Sequence, residues 1–352
     1  MTANTDGGLS NVPADLYPTA VVDIHNHFIP PELVADARKG KVLDGITLDR
    51  AGGQDWLVHP QGFRYPLNPG FYDLDYRVAE MDKLGTDFQV VSIAPPMFIY
   101  WAESSIAVDF AKLANDSLAK FVGESGGRMA AVATLPMQDP DAAAAELERA
   151  VTTLGLCGAE IAPVIERTPL DDPSLVPVLE TAQRLGVPLI LHPTYVGDKP
   201  GLEDFYLTNL VGNPLDTCVS AARLIFSGVL DRLAALELVL MHGGGFFPYQ
   251  IGRFDHGYRV RTESSGPAQQ PSNYLTRFTY DTVTHDPRAL DFLIKLVGAD
   301  RVAYGTDYPY DMAGGSLPNQ LADIQLAPED HQRIAAANAQ RLFGLPAGVL
   351  AG

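Results

Sequence analysis

The fold is decided by the stretch Val21-Val22-Asp23-Ile24-His25-Asn26-His27, an apolar, β-branched run that ends in two histidines. Side chains two positions apart on a strand project from the same face, so both imidazoles can bind one cation. Three later apolar runs also end in a residue that can bind metal, namely His192, His242 and Asp307. In a parallel barrel the carboxyl ends of the strands converge, which would bring these distant residues together.

Eight short runs rich in apolar and β-branched residues predict strands, at 19–25, 88–95, 129–136, 158–163, 188–193, 236–243, 278–283 and 301–307. Amphipathic patterns typical of helices lie between several of them, at 80–85, 139–154, 177–186 and 286–298. This repeated alternation predicts an α/β fold of the (β/α)8 barrel type. The alternative, an open doubly wound sheet, is disfavoured because no glycine-rich dinucleotide-binding motif follows an early strand.

Two segments interrupt the alternation of strands and helices. Residues 28–73 form a long insertion rich in glycine, proline and aromatic residues, and a shorter one lies between Thr194 and Asn213. Both follow strands that carry candidate ligands, and loops at that end of a barrel usually build the substrate pocket. We expect residues 1–18 to form a flexible tail and residues 19–352 to form a single barrel domain.

The composition narrows the class of partner. The formal net charge of -18, from 43 acidic and 25 basic residues, argues against binding to nucleic acid or to an anionic membrane. No apolar stretch approaches the roughly 18 residues of a membrane span, and the first residues lack the features of a signal peptide. The two cysteines, Cys157 and Cys218, lie in apparent core segments and suggest neither disulfides nor a thiolate metal site. We therefore expect a cytoplasmic protein.

The residues at the strand ends form a candidate metal site: His25, His27, His192, His242 and Asp307. A single buried histidine is more often a core or capping residue than a ligand, so the inference depends on the whole set. Neutral imidazoles with one carboxylate suit Zn²⁺, with Mn²⁺ or Fe²⁺ as alternatives, whereas Mg²⁺ and Ca²⁺ prefer more oxygen ligands. Asp23 precedes the histidine pair and is a candidate either to support a ligand or to bond a neighbouring backbone group.

Four motifs carry a resemblance to a known family. They are H-x-H at 25–27, H-P at 192–193, H-G-G-G-x-F at 242–247 and G-T-D-Y-P at 305–309. This pattern resembles the amidohydrolase superfamily and, over roughly residues 19–345, its α-amino-β-carboxymuconate-ε-semialdehyde decarboxylase branch. Further matches include Arg77-Val78-Ala79-Glu80-Met81-Asp82 and Gly252-Arg253. The resemblance implies a distorted (β/α)8 barrel, one divalent metal ion and no organic cofactor.

The resemblance also implies a role for each residue of the site. Four residues would be metal ligands, with a water completing the coordination: His25, His27, His192 and Asp307. His242 would be the acid/base beside that water. The fourth strand carries Glu160 and offers no lysine that could bridge two metals. We interpret Glu160 as an inward-facing polar residue or as a partner of a ligand, with approach to the metal left open.

Two arginines match positions that hold substrate carboxylates in this branch, Arg64 in the first insertion and Arg253 on the helix after His242. A guanidinium group binds a carboxylate through two parallel hydrogen bonds and keeps its charge at neutral pH. The resemblance therefore implies a small carboxylate substrate. It further implies a homodimer in which Arg253 of one chain completes the site of the other.

The implied activity is that of a metal-dependent, non-oxidative decarboxylase of a small unsaturated or aromatic carboxylic acid. The metal would stabilise the charge that develops as CO₂ leaves, and His242 would transfer the proton. The same site could instead hydrolyse a lactone, ester or amide with metal-bound hydroxide, and the ligands alone do not discriminate between these reactions. A catalytically inactive barrel used as a binding module is disfavoured because all five site residues are present.

Two departures from the muconate-semialdehyde enzyme bear on the substrate. Thr194 stands where that enzyme has an aromatic residue, and Asn209 stands where it has tryptophan. Related hydroxybenzoate decarboxylases often replace the first histidine of H-x-H, and the presence of His25 favours the muconate-type reading over theirs. The sequence thus predicts the branch more firmly than the substrate.

Overall fold

The computed structural model describes residues 20–41, 43–60, 64–194 and 200–350, so the tail predicted at residues 1–18 lies outside the described residues. The strands are β1 (Val22–Asp23), β2 (His27–Phe28), β3 (Thr47–Ala51), β4 (Gln54–Val58), β5 (Arg64–Pro66), β6 (Phe88–Ile93), β7 (Met129–Ala131), β8 (Ala133–Thr134), β9 (Ala159–Ile161), β10 (Val164–Ile165), β11 (Thr168–Pro169), β12 (Leu189–Leu191), β13 (Leu238–Leu240), β14 (Phe278–Asp281) and β15 (Val302–Ala303).

The α-helices are α1 (Pro31–Arg38), α2 (Leu74–Leu84), α3 (Ser104–Gly123), α4 (Pro140–Thr152), α5 (Val176–Leu185), α6 (Asn213–Phe226), α7 (Val229–Arg232), α8 (Phe247–Val260), α9 (Pro287–Val297), α10 (Leu317–Gln320), α11 (Pro328–Gln332) and α12 (Asn338–Phe343). Across the described ranges, none of the helices has both the length and the apolar character needed to cross a membrane.

The strands of the barrel run parallel, in the order β1/β2, β6, β7/β8, β9, β12, β13, β14 and β15. The first barrel strand is split into β1 and β2, and the third into β7 and β8. The last strand returns to the first, because the backbone nitrogen of Ile24 donates to the oxygen of Tyr304 at 2.9 Å and that of His27 to Tyr308 at 2.7 Å. The predicted α/β architecture, a distorted (β/α)8 barrel, is confirmed.

Each of the eight predicted runs contains a strand of this barrel, because short β-branched segments bury both faces in a parallel sheet. The predicted helices at 139–154, 177–186 and 286–298 correspond to α4, α5 and α9. The pattern at 80–85 is only the end of α2, which begins eleven residues before Gly85 at Leu74, after its N-cap Asp73. Helices α3 and α6 were not predicted, and both cover the outside of the barrel.

Apolar side chains fill the inside of the barrel and the layer between the strands and helices. The inner cluster contains one residue from each of five barrel strands, namely Val22, Val90, Val132, Ile190 and Val239. The larger outer cluster joins the helices to the opposite faces of the same strands. This packing fixes the carboxyl ends of the strands, where the candidate site lies.

The insertion at 28–73 contains α1 and a three-stranded antiparallel sheet, β3-β4-β5, which the sequence analysis did not predict. A two-residue turn, Gly52-Gly53, joins β3 to β4, with φ of 63° and 81°. Such left-handed values at both positions suit a type I′ hairpin and favour glycine. The sheet carries Trp56 and Arg64 to the wall of a cavity at the mouth of the barrel.

Candidate metal centre

Four buried residues from three separated segments meet at the carboxyl end of the barrel: His25, His27, His192 and Asp307. One potential ligand atom from each lies within 4.8 Å of the others. His25 and His27 lie at the end of the first strand, His192 follows β12, and Asp307 follows β15. The convergence of parallel strand ends therefore builds a group that can hold a metal ion.

The His25 ring is held by Asp281, the last residue of β14, which the sequence analysis did not single out. Nδ1 of His25 lies 2.5 Å from Oδ2 of Asp281, and both side chains are fully buried. Oδ1 of Asp281 accepts hydrogen bonds from the backbone nitrogens of Gly243 at 2.6 Å and Val283 at 3.3 Å. With Nδ1 engaged, Nε2 of His25 faces the centre of the group. Asp281 is the last residue of its strand and Asp307 follows the last strand of the barrel. This position at a strand end is the sequence signal that could have identified Asp281.

The other two histidines are oriented in the same way. Nδ1 of His192 donates to the carbonyl oxygen of Pro193 at 2.6 Å, which leaves the lone pair on Nε2. Nδ1 of His27 lies 3.4 Å from the Ser92 hydroxyl oxygen. Such contacts on the far nitrogen are typical of histidines that bind metal, because they set the tautomer and the ring orientation.

The near nitrogens face a single carboxylate. Nε2 of His27 lies 3.0 Å from Oδ1 of Asp307, and Nε2 of His25 lies 3.4 Å from the same oxygen. Three imidazole nitrogens and a carboxylate point into one small space, and among the described residues Nε2 of His25 and Nε2 of His192 are buried without a hydrogen-bond partner. This arrangement fits a divalent cation.

The surroundings set the charge of each group. Burial raises the pKa of Asp307, but the neighbouring His25 and His242 outweigh it and hold the pKa well below its usual range. Burial lowers the pKa of His27 to about 4, and burial with the nearby histidines lowers that of His192 well below its usual value. At neutral pH the Asp307 carboxylate is ionised and the imidazoles of His27 and His192 are neutral, which are the forms that bind cations. For His25, burial lowers the pKa, but Asp307 and Asp281 outweigh it and raise the pKa well above its usual value.

His242 lies beside this group on a strained turn. Its φ is 57°, and the three glycines that follow also have positive φ. A Cβ on Gly245 would lie 2.3 Å from the carbonyl oxygen of Pro214, so only glycine fits there. Nε2 of His242 lies 3.7 Å from Oδ2 of Asp307, and the ring centroid is 5.0 Å from those of His25 and His192. Asp307 is also left-handed, with φ of 64°, and such backbone strain clusters at functional sites.

Asp23 ties the first strand to the last. Its Oδ1 accepts from the backbone nitrogens of His25 at 3.0 Å and Thr306 at 3.1 Å, and its Oδ2 accepts from the Thr306 hydroxyl at 2.8 Å. Burial raises the pKa of Asp23 to about 6. Both alternatives for Asp23 therefore hold, because it bonds backbone groups and through them supports the segment that carries His25.

Glu160 lies on β9 and is fully buried. Burial raises its pKa to about 8, against smaller lowering effects of the Ser92 hydroxyl and the His25 ring. This agrees with an inward-facing polar residue near the site. Ser92, which neighbours both Glu160 and Nδ1 of His27, was not recognised from the sequence.

A cavity of about 210 Å³ opens beside the group and is lined by Trp56, Arg64, His192, His242, Asp307 and Tyr310. The Arg64 guanidinium carbon lies 4.4 Å from the centre of the Trp56 ring, and its Nη1 lies 3.5 Å from Oδ2 of Asp49. Thr194 and Asn209 from the second insertion also line this cavity. The structure therefore brings Arg64 to the same pocket as the histidines.

Arg253 lies elsewhere. It is exposed on α8, and neither of the two cavities next to His242 has it in its lining. The second of these cavities has a larger volume, about 590 Å³. It lies between α8 and α9 and is lined by Phe246, Tyr249 and Phe292, among others. Arg253 thus does not meet the cavity of its own chain in this structure.

The chain is similar to proteins that are named as decarboxylases. The chain is 33% identical over 330 residues to a 2-amino-3-carboxymuconate-6-semialdehyde decarboxylase of Dictyostelium discoideum, with 92% of this chain and 91% of the relative covered. It is 32% identical over 292 residues to a gamma-resorcylate decarboxylase of Polaromonas sp. JS666, covering 77% of this chain and 87% of the relative.

A solved structure of a dihydroxybenzoic acid decarboxylase from Polaromonas sp. JS666, with bound manganese and the inhibitor 2-nitroresorcinol, is similar with a TM-score of 0.73. The sequences are 28% identical, and the match covers 94% of this chain and 99% of that one. The family model described as amidohydrolase matches residues 22–345. The chain therefore belongs to the amidohydrolase family.

Proposed function

We propose that this protein is a metal-dependent, non-oxidative decarboxylase that acts on a small unsaturated or aromatic carboxylic acid. The family match and the decarboxylase activities named for its relatives support this reaction class. The observation that carries the proposal is that His192 and Asp307, two members of the group that can hold a metal ion, line one cavity together with His242 and Arg64.

The proposed ligands are His25, His27, His192 and Asp307, which would hold one divalent cation. Zn²⁺ is our first choice because three imidazoles and one carboxylate match its usual ligands. Mn²⁺ is the second, because the similar Polaromonas structure contains manganese. When bound, such a cation stabilises the negative charge that develops as CO₂ leaves the substrate.

The residues around the cavity supply binding and proton transfer. Arg64 would hold a substrate carboxylate through its planar guanidinium group, and the Trp56 ring packs against that group and limits its orientation. His242, which also lines the cavity, would deliver a proton to the carbon that loses CO₂.

The second insertion bears on which acid is used. Thr194 and Asn209 line the cavity at the positions where the muconate-semialdehyde branch carries aromatic residues. A hydroxyl and an amide in place of two rings leave more polar surface for a substrate hydroxyl or amine. We therefore keep both the muconate-type and the hydroxybenzoate-type acids of the relatives as candidates.

We also propose a homodimer in which Arg253 of one chain completes the site of the other. The exposure of Arg253 outside its own cavity supports this arrangement. Tyr249 on the same helix is 77% exposed, and an aromatic residue beside an arginine is common in protein interfaces.

A reducing, cytoplasmic setting is proposed as well. Both cysteines, Cys157 and Cys218, are free thiols in core positions, and burial raises the pKa of each thiol, to about 12 and about 11. Buried thiols of this kind suit a compartment that keeps them reduced.

The test is a screen of purified, metal-analysed protein with carboxylic acids named for the relatives: 2-amino-3-carboxymuconate-6-semialdehyde, gamma-resorcylate and 6-methylsalicylic acid. Release of CO₂ is followed separately from the hydrolysis of lactones, esters and amides, with Asp307→Ala as the matched inactive control. CO₂ release that depends on metal and on Asp307 is the expected result. Metal-dependent hydrolysis without CO₂ release from any acid would contradict the proposal.

A further inference from the structure

Arg77, on α2, has the largest side chain that is fully buried in the described part of the chain. Its Nε donates to the carbonyl oxygen of Gly70 at 2.9 Å. Its Nη1 donates to Oδ1 of Asn26 at 2.9 Å and to Oε1 of Gln89 at 3.0 Å, and its Nη2 donates to the carbonyl oxygen of His27. One guanidinium group therefore binds the end of the insertion, the H-x-H segment of the first barrel strand and the second barrel strand.

The H-x-H segment is held by hydrogen bonds of its central residue, Asn26. Asn26 is fully buried, and its amide nitrogen donates to the carbonyl oxygens of Asp23 and Val90, each at 3.2 Å. Its remaining oxygen accepts from Arg77. Because Arg77 also donates to the carbonyl oxygen of His27, both the middle and the last residue of the H-x-H segment are fixed.

Arg77 reaches the Asp307 segment as well. Its guanidinium carbon lies 5.3 Å from the centre of the Tyr308 ring, and Tyr308 is the neighbour of Asp307 in the chain. A Cβ on Gly70 would lie 2.1 Å from the Tyr308 hydroxyl oxygen, so the glycine that accepts from Arg77 also makes room for that ring. Arg77 thus contacts both segments that supply ligands at the seam between the first and last strands.

Burying the guanidinium group of Arg77 costs free energy. A role limited to filling space therefore does not explain why an arginine lies there. Every hydrogen-bond acceptor of Arg77 among the described residues is a neutral oxygen, and burial lowers the pKa of Arg77 to about 10. The nearest acid linked to it is Asp23, through Gln89, whose Nε2 donates to Oδ2 of Asp23 at 3.1 Å. A buried charge without a direct ion pair costs stability, so it persists where the hydrogen bonds it makes are needed.

We propose that Arg77 is a positioning residue that fixes the His25-Asn26-His27 segment and the Tyr308 ring. The nitrogens of His25 and His27 and the carboxylate of Asp307 are thereby held in the geometry that binds the cation. The inference rests on the proposed metal site but not on the reaction. Lysine cannot replace arginine there, because a single ammonium group cannot reach acceptors spread over three chain segments.

The experiment compares Arg77→Met and Arg77→Lys with Arg277→Met, a matched control. Arg277 also donates through its guanidinium group to backbone carbonyl oxygens, those of Leu230 and Leu233 at 3.0 Å, but at the opposite end of β14 from the site. For each protein we would measure the affinity for Zn²⁺ and Mn²⁺ by chelator competition, the rise in melting temperature on adding metal, and the visible spectrum of the Co²⁺-loaded form.

Arg77→Met should bind metal at least about 10-fold more weakly and lose most of the metal-induced rise, as is typical when a residue that supports ligands is removed. Arg77→Lys should recover only part of the affinity and show a shifted Co²⁺ spectrum. Arg277→Met should melt at a lower temperature with and without metal but bind metal as the unchanged protein does.

Unchanged affinity and spectrum in both Arg77 variants would overturn the inference and leave Arg77 a structural residue. Failure of both variants to fold, while Arg277→Met folds, would do the same, because the role would then be global. If the unchanged protein itself bound no metal, the proposed function would fail instead, so the two failures are distinguishable.

Discussion

Nδ1 of His25 lies 2.5 Å from Oδ2 of Asp281, so the first histidine of the H-x-H pair is oriented from the seventh barrel strand. Asp281→Asn keeps the size of the side chain but replaces a charged acceptor with a neutral one. We expect metal affinity to fall by about 10- to 100-fold with little change in fold. Chelator competition measures it, with the partly exposed Asp291→Asn on α9 as the control. Equal affinities for the two variants would contradict the role given to Asp281.

Two variants should distinguish the residue that transfers the proton from a residue that binds the metal. His242→Ala should keep its metal but lose turnover by a factor on the order of 10², the usual size of acid-base contributions. Asp307→Ala should lose most of its metal. Metal content by elemental analysis, read beside kcat, separates the two, and the exposed His256→Ala on α8 is the control. Loss of metal from His242→Ala would make His242 a ligand and refute its assigned role.

Arg64→Lys should weaken substrate binding although it keeps the positive charge. The lysine loses the two parallel hydrogen bonds to a carboxylate and the flat contact with Trp56, whose ring centre is 4.4 Å from the guanidinium carbon. We expect KM to rise about 10-fold. Arg50→Lys, on the neighbouring strand β3, is the control, since Arg50 pairs with Asp55. Matching kinetics in both variants, with a confirmed carboxylate substrate, would place Arg64 outside the binding site.

The shared site can be tested by mixing inactive chains. An Arg253→Ala chain and a His27→Ala chain should together regain activity if Arg253 acts across the interface, because one site of the mixed dimer then has all its residues. If Arg253 serves its own barrel, each site of the mixed dimer lacks one component. Verified mixed dimers without activity, or a monomer that is active, would refute the arrangement.

His59 should make the folded state sensitive to acid. It is buried against the Trp101 ring, and burial lowers its pKa to about 4, whereas an unfolded histidine has a pKa near 6.5. Its contribution is fully present above about pH 6.5 and is lost as the pH falls toward 4, because only the unfolded state takes up the proton in that window. Urea unfolding of the unchanged protein should lose up to about 1.4 kcal/mol per pH unit more than His59→Gln there. If the free energies of unfolding of the two proteins changed equally with pH, His59 would make no such contribution.

Much of the fold was predictable because it depends on local patterns. Short β-branched runs that end in a histidine or aspartate are visible in one sequence, and the strand ends of a parallel barrel converge for geometric reasons. The group of His25, His27, His192 and Asp307 follows from those two facts. Helix α3 was missed because apolar residues such as Ile106 and Leu113 lie on its exposed face and blur the amphipathic pattern.

The contacts that orient the ligands were not predictable in the same way. Asp281 lies 256 positions from His25, and Arg77 lies 51 from Asn26, so only the folded chain shows that they meet. The hairpin of the insertion did have a signal, the Gly52-Gly53 pair between two strand-like segments. The position of Arg64 beside the cavity could be seen only in the structure. The sheet β3-β4-β5 that carries Arg64 is separate from the barrel, so the alternation of barrel strands and helices does not predict where it lies.

The closing seam of the barrel has a consequence for how the protein is made. His27 and Asp307 are 280 positions apart, and the first and last strands that carry them are hydrogen-bonded to each other. At the roughly 5–20 residues per second of protein synthesis, tens of seconds separate the appearance of the first histidine from that of the aspartate. A nascent chain that halts before the final strand presents the imidazoles of the group without the carboxylate of Asp307. Stable uptake of a cation would then mark a chain whose barrel has been synthesised through its last strand and closed.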